Sequence, residues 1–267
     1  MPYMMEVVKT GKVIEVRKTM ARSMVAHVGR GRKIKATPER VERSNAKIAE
    51  RKLRRKLNTN FGPGDIFVTL TYGTDLEAPT EEEGRKDLDN FLRRLRREYK
   101  RQGKELKYIA VTEYKARRIH HHLVLSDIDS KVVADVWDKG RPHEVRLDKS
   151  GDYGKLAAYL IKETSRSFLE DEEAEKQGKK GRRWRQSRNL RPYDKMSRRQ
   201  VSAKEWRKEP RAYKGYQLNK ESVIVSEFLI GNTLLESKEY YMVEVPEDKR
   251  QRWRRISSQD LLMAAVI

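Results

Sequence analysis

Residues 119–126 read Ile-His-His-His-Leu-Val-Leu-Ser, an apolar and aromatic run of the length of one β-strand. Side chains alternate between the two faces of a strand, so His120 and His122 point the same way. His121 points the other way with the aliphatic residues, where a neutral, hydrogen-bonded core histidine is expected. Two imidazoles side by side predict a binding site for a metal ion.

A carboxylate on a neighbouring strand is the natural third ligand. Residues 108–114 predict a strand that is joined to the histidine strand by a link of hairpin length, which brings Glu113 close to His120 and His122. One oxygen and two nitrogens with open positions suit Mg²⁺ or Mn²⁺ that is held partly by a scissile phosphate. A histidine triplet alone also fits an exposed or structural role. The metal-site interpretation therefore depends on the other residues of the predicted site.

Residues 152–167 predict a helix that carries further candidate site residues. At about 100° per residue, Tyr159, Lys162 and Lys155 lie opposite the apolar face of this helix. A lysine one turn from a tyrosine places an ammonium beside a phenol, which favours the phenolate or receives negative charge that builds on a phosphate. We therefore predict Tyr159 as a nucleophile toward a phosphodiester, with Lys162 as its electrostatic partner.

The strand and helix patterns around these residues predict the order β-α-β-β-α-β-α. This order indicates an α+β fold, a ferredoxin-like or RNA-recognition-like antiparallel sheet with helices on one face and the other face available for a site. The predicted elements are strands at 66–72, 108–114, 119–126 and 144–147, and helices beginning near 80, 130 and 152.

The composition points to a polyanionic partner. The 267 residues carry a net charge of +21, and nucleic acid is favoured over a membrane because no apolar run approaches the roughly 20 residues that span a bilayer. There is no signal-peptide pattern. The absence of cysteine excludes disulfides and zinc fingers. A cytoplasmic protein is the default expectation.

Basic residues concentrate in two blocks, whereas the middle of the chain is nearly neutral. We predict a basic, partly helical N-terminal extension (1–60), a catalytic core (61–169), a basic, mobile DNA-contacting region (170–214) and a small β-rich appendage with a tail (215–267). The basic blocks would bind a polyanion, although a solvated surface is the alternative. The aromatic residues of 184–214 would either stack on bases or pack internally.

Three motifs of this chain resemble, in order, those of HUH endonucleases. The resemblance is to the single-tyrosine replication initiators of rolling-circle plasmids and filamentous-type phages, and it covers residues 58–165 well. A looser similarity continues through residues 184–190 and 213–216. The motifs are Thr69-Leu70-Thr71-Tyr72, Glu113 with His120-His121-His122, and Tyr159-Leu160-Ile161-Lys162. One departure is His121, where a bulky hydrophobic residue is usual.

The resemblance implies metal-dependent nicking of single-stranded or hairpin origin DNA during rolling-circle replication. Tyr159 would form a 5′-phosphotyrosine and release a 3′-hydroxyl, and the strand would be rejoined later. Glu113, His120 and His122 would bind the metal, and Thr69 and Thr71 would lie beside the site. The predicted DNA contacts are Thr69, Thr71, Lys155, Arg118, Arg182, Arg183, Arg185 and Arg188.

One nucleophile per chain is expected, because Tyr153 lies about 240° around the helix from Tyr159. Completing a replication cycle would then need a second protomer, as in a dimer, or a water activated by Glu163. No phosphate-binding Gly-x-x-x-x-Gly-Lys-Ser/Thr motif is present, so a host helicase and polymerase are expected partners. A single-tyrosine transposase or relaxase and a non-catalytic nucleic-acid-binding module are the alternatives.

Overall fold

A computed structural model describes most of the chain. The described residues are 3–20, 38–113, 119–168, 184–230 and 233–246. They divide into two compact units, one within residues 36–192 and one made of the described parts of 1–35 and 193–267. Residues 170–183 of the predicted mobile region and the tail after residue 246 lie outside the described residues.

The described residues form ten strands and five helices, numbered in chain order. The strands are β1 (Tyr3–Thr10), β2 (Val13–Met20), β3 (Ile66–Thr71), β4 (Tyr108–Glu113), β5 (His120–Leu125), β6 (Pro142–Arg146), β7 (Arg185–Gln186), β8 (Asp194–Val201), β9 (Tyr216–Ile230) and β10 (Thr233–Glu244). The helices are α1 (Pro38–Asn60), α2 (Glu81–Arg101), α3 (Ser130–Val136), α4 (Gly154–Phe168) and α5 (Ala203–Arg207). The predicted β-α-β-β-α-β-α order is confirmed in β3 to α4.

The unit within residues 36–192 is built on one antiparallel sheet with the strand order β6-β3-β5-β4-β7. Within this sheet, the order β6-β3-β5-β4 is the ferredoxin-like arrangement, so the predicted α+β class is confirmed. Strand β5 lies between β3 and β4, and its His120 is directly opposite Thr71 on one side and Glu113 on the other. Directly opposed residues point to the same face, so this register gathers the predicted site residues on one face.

Helices cover both faces of this sheet, and the prediction that they cover one face is wrong. Helices α2 and α3 pack on the face that contains Val68 and Leu123, here called the core face. Helices α1 and α4 pack on the opposite face, here called the site face, over Ile109 and Val124. The physical reason is that β4 and β5 are apolar on both faces at one end, which has to be covered. The histidines of this face lie beyond the apolar cluster that α1 and α4 cover.

Helix α2 is specified by clear local signals. Thr80 caps its first turn in a capping box, in which its hydroxyl accepts from Glu83 N and the Glu83 side chain accepts from Thr80 N. The helix stops before Gly103, whose φ of +67° favours glycine. Its apolar side is buried and includes Leu88, Phe91, Leu92 and Leu95.

Replacing Leu95 with alanine is expected to lower the free energy of unfolding of this unit by about 2–5 kcal/mol. Leu95 is fully buried in the core-face cluster, so the change leaves a cavity. Urea unfolding followed by circular dichroism measures the effect. The matched control is Leu76→Ala, because Leu76 is 40% exposed and its truncation should cost less than about 0.5 kcal/mol. Equal losses in the two variants would contradict the assigned core.

The second unit is a five-stranded antiparallel sheet with the order β8-β1-β2-β10-β9. The predicted C-terminal β-rich region is present as β9 and β10, but it shares this sheet with residues 3–20 of the predicted N-terminal extension. Trp206 of α5 stacks on Tyr3 with ring centroids 4.9 Å apart, so this aromatic residue packs internally. Lys18 is buried and donates through Nζ to Glu205 O at 2.8 Å, and burial lowers its pKa.

Among the helices of the described residues, none has the length and apolar character needed to cross a lipid bilayer.

Candidate active site

Glu113, His120 and His122 meet on the site face where β4 ends and β5 begins. Glu113 Oε2 lies 3.8 Å from His122 Nε2 and 4.0 Å from His120 Nδ1. The side chains of Glu113 and His122 are nearly buried, whereas that of His120 is 32% exposed. Glu113 and His122 therefore form the inner wall of the site, and His120 forms its rim.

Thr69 sets the orientation of His122. The Thr69 hydroxyl oxygen lies 3.1 Å from His122 Nδ1, because the two residues are directly opposite each other on β3 and β5. In the tautomer in which Nδ1 donates to the threonine oxygen, Nε2 keeps its lone pair and faces Glu113. A second polar partner on the far nitrogen is the usual arrangement for a histidine that binds a metal.

The three side chains suit a hard divalent ion in their chemistry. Two ligand atoms that are each about 2.1 Å from one ion lie at most about 4.2 Å apart. The separations of 3.8 Å and 4.0 Å from Glu113 Oε2 fall within this limit. Within the described residues, however, no three histidine, aspartate or glutamate side chains already surround a common point as a group that could hold an ion. The donors are neighbours that are not preassembled around one position.

Tyr159 faces the same site from α4. Its ring meets that of His122 edge-on at a centroid distance of 5.4 Å and that of Phe67 at 6.1 Å. The tyrosine is 42% exposed, since α4 packs on the sheet through other positions such as Leu160 and Ile161. A phenol is thus held beside the candidate metal ligands and remains accessible to a substrate.

The beginning of α4 is fixed by an ion pair with α1. Arg54 donates to both carboxylate oxygens of Asp152 at 3.0 Å and 2.8 Å, and Asp152 also accepts from Gly154 N at 3.1 Å. A Cβ atom at Gly154 would lie 3.0 Å from Arg54 Nε, so a larger residue here would crowd the ion pair. Because α4 carries Tyr159, the bidentate pair between Arg54 and Asp152 helps to position the phenol.

Tyr153 is held away from the site. Its side chain is 5% exposed, and its hydroxyl donates to Asp148 O at 3.1 Å. Burial, together with the nearby negative charge of Asp148, raises the pKa of Tyr153 to about 12. The expectation that the two tyrosines do not share a face agrees with this placement.

His121 lies on the core face, as its position in the strand predicts. It is completely buried between two hydroxyl groups, with Tyr72 Oη 3.1 Å from Nε2 and Thr112 Oγ1 2.9 Å from Nδ1. Burial, followed by the neighbouring His122 and His120, lowers the pKa of His121 to about 3. It is therefore a neutral core residue at physiological pH.

The structure brings some of the predicted DNA contacts to the site. Lys155 and Lys162 are exposed on the same side of α4 as Tyr159. Thr69 and Thr71 lie on the site face, where the Thr71 hydroxyl donates to Arg141 O at 3.0 Å.

Other predicted contacts lie elsewhere. Arg185 pairs with Ala110 in the sheet and forms an ion pair with Asp89 of α2, so it points to the core face, away from Tyr159. Arg188 is exposed in the turn after β7. The structure does not describe Arg118, Arg182, Arg183 or the side chain of Glu163.

Two residues near the site were given no role by the sequence. Phe67 stacks on His122 with ring centroids 6.1 Å apart. Strand alternation alone places Phe67 on the same face as Thr69, but it does not indicate this contact. His143 of β6 is exposed and directly opposite Thr69. No local signal predicts this neighbour, because the pairing of β6 with β3 depends on the order of the strands in the sheet.

Residues 65–168 match the family of replication-associated proteins described as "Replication-associated protein ORF2/G2P". The match contains β3 to α4 and every candidate residue from Thr69 to Lys162, and it covers less than half of the chain. It supports a replication-associated protein that interacts with DNA, and more particularly a Rep-type replication initiator. No significant match was found among curated proteins or solved structures.

Proposed function

We propose that the chain is a rolling-circle replication initiator that nicks single-stranded origin DNA with Tyr159 as the nucleophile. The observation that carries the proposal is the arrangement on the site face. The ring of Tyr159 lies 5.4 Å from that of His122, whose Nε2 is 3.8 Å from Glu113. An accessible phenol beside a carboxylate and two imidazoles provides a nucleophile and metal ligands for phosphoryl transfer. It also agrees with the family match of residues 65–168.

In the proposed reaction, the Tyr159 oxygen attacks the scissile phosphorus and loses its proton. The bond between phosphorus and the 3′ oxygen breaks, and the leaving oxygen takes up a proton to become a 3′-hydroxyl. The products are a 5′-phosphotyrosine and a free 3′ end, and attack of a 3′-hydroxyl on the phosphotyrosine rejoins DNA by the reverse steps. No bond energy is lost to hydrolysis, so the nick is reversible.

Glu113, His120 and His122 would hold Mg²⁺ or Mn²⁺ in this proposal, and Thr69 would orient His122. When bound, the ion supplies positive charge that stabilises the phosphate oxygens and the departing 3′ oxygen. Lys162, one helical turn from Tyr159, favours loss of the phenol proton by its charge.

Lys155 and Thr71 would contact the bound strand at the site, and Arg188 would contact DNA away from it. Glu163 would activate a water when a second tyrosine is not supplied by another protomer in a dimer. The protein would act in the cytoplasm with a host helicase and a host polymerase.

The test uses the purified chain, a labelled single-stranded origin hairpin of the replicon and Mn²⁺. A covalent protein–DNA adduct that resists denaturing electrophoresis is expected, and a chelator should prevent its formation. Binding of single-stranded DNA without any adduct or cleavage would overturn the proposal and favour a non-catalytic binding module. Adduct formation on transposon ends or a conjugative origin, and not on a replication origin, would favour a transposase or relaxase with the same chemistry.

Thr69→Val is expected to weaken the binding of Mn²⁺ by about tenfold or more, because removing the partner of His122 Nδ1 frees the ring to turn. Single-stranded DNA binding in the absence of metal should change little. Isothermal titration with Mn²⁺ measures the first effect, and Thr71→Val is the matched control because the Thr71 hydroxyl donates to Arg141 O. If Thr69→Val instead impairs DNA binding and leaves the metal affinity unchanged, the threonine contacts DNA and does not orient the histidine.

A further inference from the structure

The second half of α2 displays a row of cations that the proposed reaction does not use. Arg93, Arg96, Arg97, Lys100 and Arg101 are all exposed. Their spacing of three, one, three and one residues places them on one side of the helix. At a rise of about 1.5 Å per residue, the row is about 12 Å long. These five side chains are here called the α2 stripe.

Acidic side chains compensate little of this charge. Arg101 forms an ion pair with Glu98, and Arg93 donates to the neutral amide oxygen of Asn90 at 3.0 Å. Arg96, Arg97 and Lys100 form no ion pair with an acid in the part of the chain that the structure describes. Like charges at neighbouring helical positions repel each other. The stripe is therefore a concentrated positive surface that an anionic partner would stabilise.

The α2 stripe faces away from the candidate active site. Helix α2 buries Leu88, Leu92 and Leu95 against the core face of the sheet, so its charged side points outward from that face. Tyr159 lies beyond the opposite face of the same sheet, beside His122. The α2 stripe and the scissile phosphate are thus separated by the sheet and by the helix layer, and the stripe has no access to the reacting atoms.

We propose that the α2 stripe binds the phosphate backbone of double-stranded DNA, while the site face holds the single strand that is cleaved. The inference rests on the proposed function, because an initiator that nicks one strand has duplex beside its cleavage site. A row of arginine and lysine side chains neutralises phosphates without regard to sequence. Surfaces for single strands also carry exposed aromatic side chains on which bases stack. The stripe has none, since the nearby Tyr99 is buried.

The test compares two double variants of α2 that each remove two positive charges from exposed positions. Arg96→Gln/Arg97→Gln changes the stripe, and Arg85→Gln/Lys86→Gln changes the other half of the same helix. The binding of the full chain to a labelled duplex of unrelated sequence is measured by fluorescence anisotropy over a range of salt concentrations. The stripe variant should bind duplex about tenfold or more weakly near 0.1 M salt. Its negative slope of log K against log[salt] should become shallower by about 1.8, or about 0.9 for each lost contact.

The control variant should bind duplex as the unchanged chain does, and both variants should form the single-strand adduct normally. Equal losses in the two variants, or unchanged duplex binding in the stripe variant, would overturn the proposal. The second of these outcomes would make an acidic protein the partner to seek. If the unchanged chain forms no adduct, the proposed nicking function is wrong. Duplex binding that depends on Arg96 and Arg97 would still support the proposed role of the α2 stripe.

Discussion

Replacing Tyr159 with phenylalanine is expected to abolish the covalent protein–DNA adduct and to lower the rate of nicking by at least about a thousandfold. The change removes one oxygen atom, which is the proposed nucleophile, and keeps the ring. The edge-on contacts of Tyr159 with His122 and Phe67 should therefore persist, so folding and DNA binding should be nearly unchanged. Denaturing electrophoresis of labelled single-stranded DNA after incubation with Mn²⁺ measures the adduct.

Tyr153→Phe is the matched control for this experiment. It removes the same atom from a buried tyrosine whose hydroxyl donates to Asp148 O, so it should cost about 1 kcal/mol of stability or less and leave the adduct in place. If Tyr159→Phe still forms the adduct, or if Tyr153→Phe alone removes it, the assignment of the nucleophile is wrong.

Glu113→Gln and His122→Ala are each expected to weaken Mn²⁺ binding by at least about a hundredfold. This effect is larger than that of Thr69→Val, which removes only the partner of a proposed ligand. Glu113 supplies the anionic oxygen of the proposed site, and His122 supplies a nitrogen 3.8 Å from that oxygen. Nicking at low metal concentration should disappear in both variants. Isothermal titration, or the electron paramagnetic resonance signal of free Mn²⁺, measures the binding without reference to activity.

His143→Ala controls for the loss of an imidazole from the site face. His143 is exposed on β6 and is separated from His122 by the whole of strand β3, so its removal should leave the metal affinity intact. Wild-type affinity in both Glu113→Gln and His122→Ala would contradict the proposed ligands. The same loss in His143→Ala would show that the ion binds at another position on this face.

Much of the unit within residues 36–192 could be predicted, because its signals are local. The capping residue Thr80 and the apolar spacing of Leu88 to Leu95 define α2 without reference to any other element. Strand alternation placed His121 on the core face and its two neighbours on the other face. The expectation that Tyr153 and Tyr159 do not share a face came from the angular spacing along a helix, although α4 begins at Gly154, one residue after Tyr153.

The rest depends on pairings that no local pattern contains. Residues 3–20 form a sheet with strands near the other end of the chain, and local alternation does not specify such partners. Arg185 looked like a DNA contact from its basic neighbourhood, but its register opposite Ala110 directs it to Asp89. The contact between Thr69 and His122 likewise follows from the register of β3 on β5. Both outcomes depend on which strands are neighbours.

The most direct test of the central claim is to identify the residue that carries the DNA. After the reaction, nuclease treatment and trypsin digestion, cleavage after Lys149, Lys155 and Lys162 gives the peptides Ser-Gly-Asp-Tyr-Gly-Lys and Leu-Ala-Ala-Tyr-Leu-Ile-Lys, so Tyr153 and Tyr159 are separated. In the second peptide, Tyr159 is the only side chain with a hydroxyl. Mass spectrometry should find the nucleotide on this second peptide. A nucleotide on any other peptide would contradict the account.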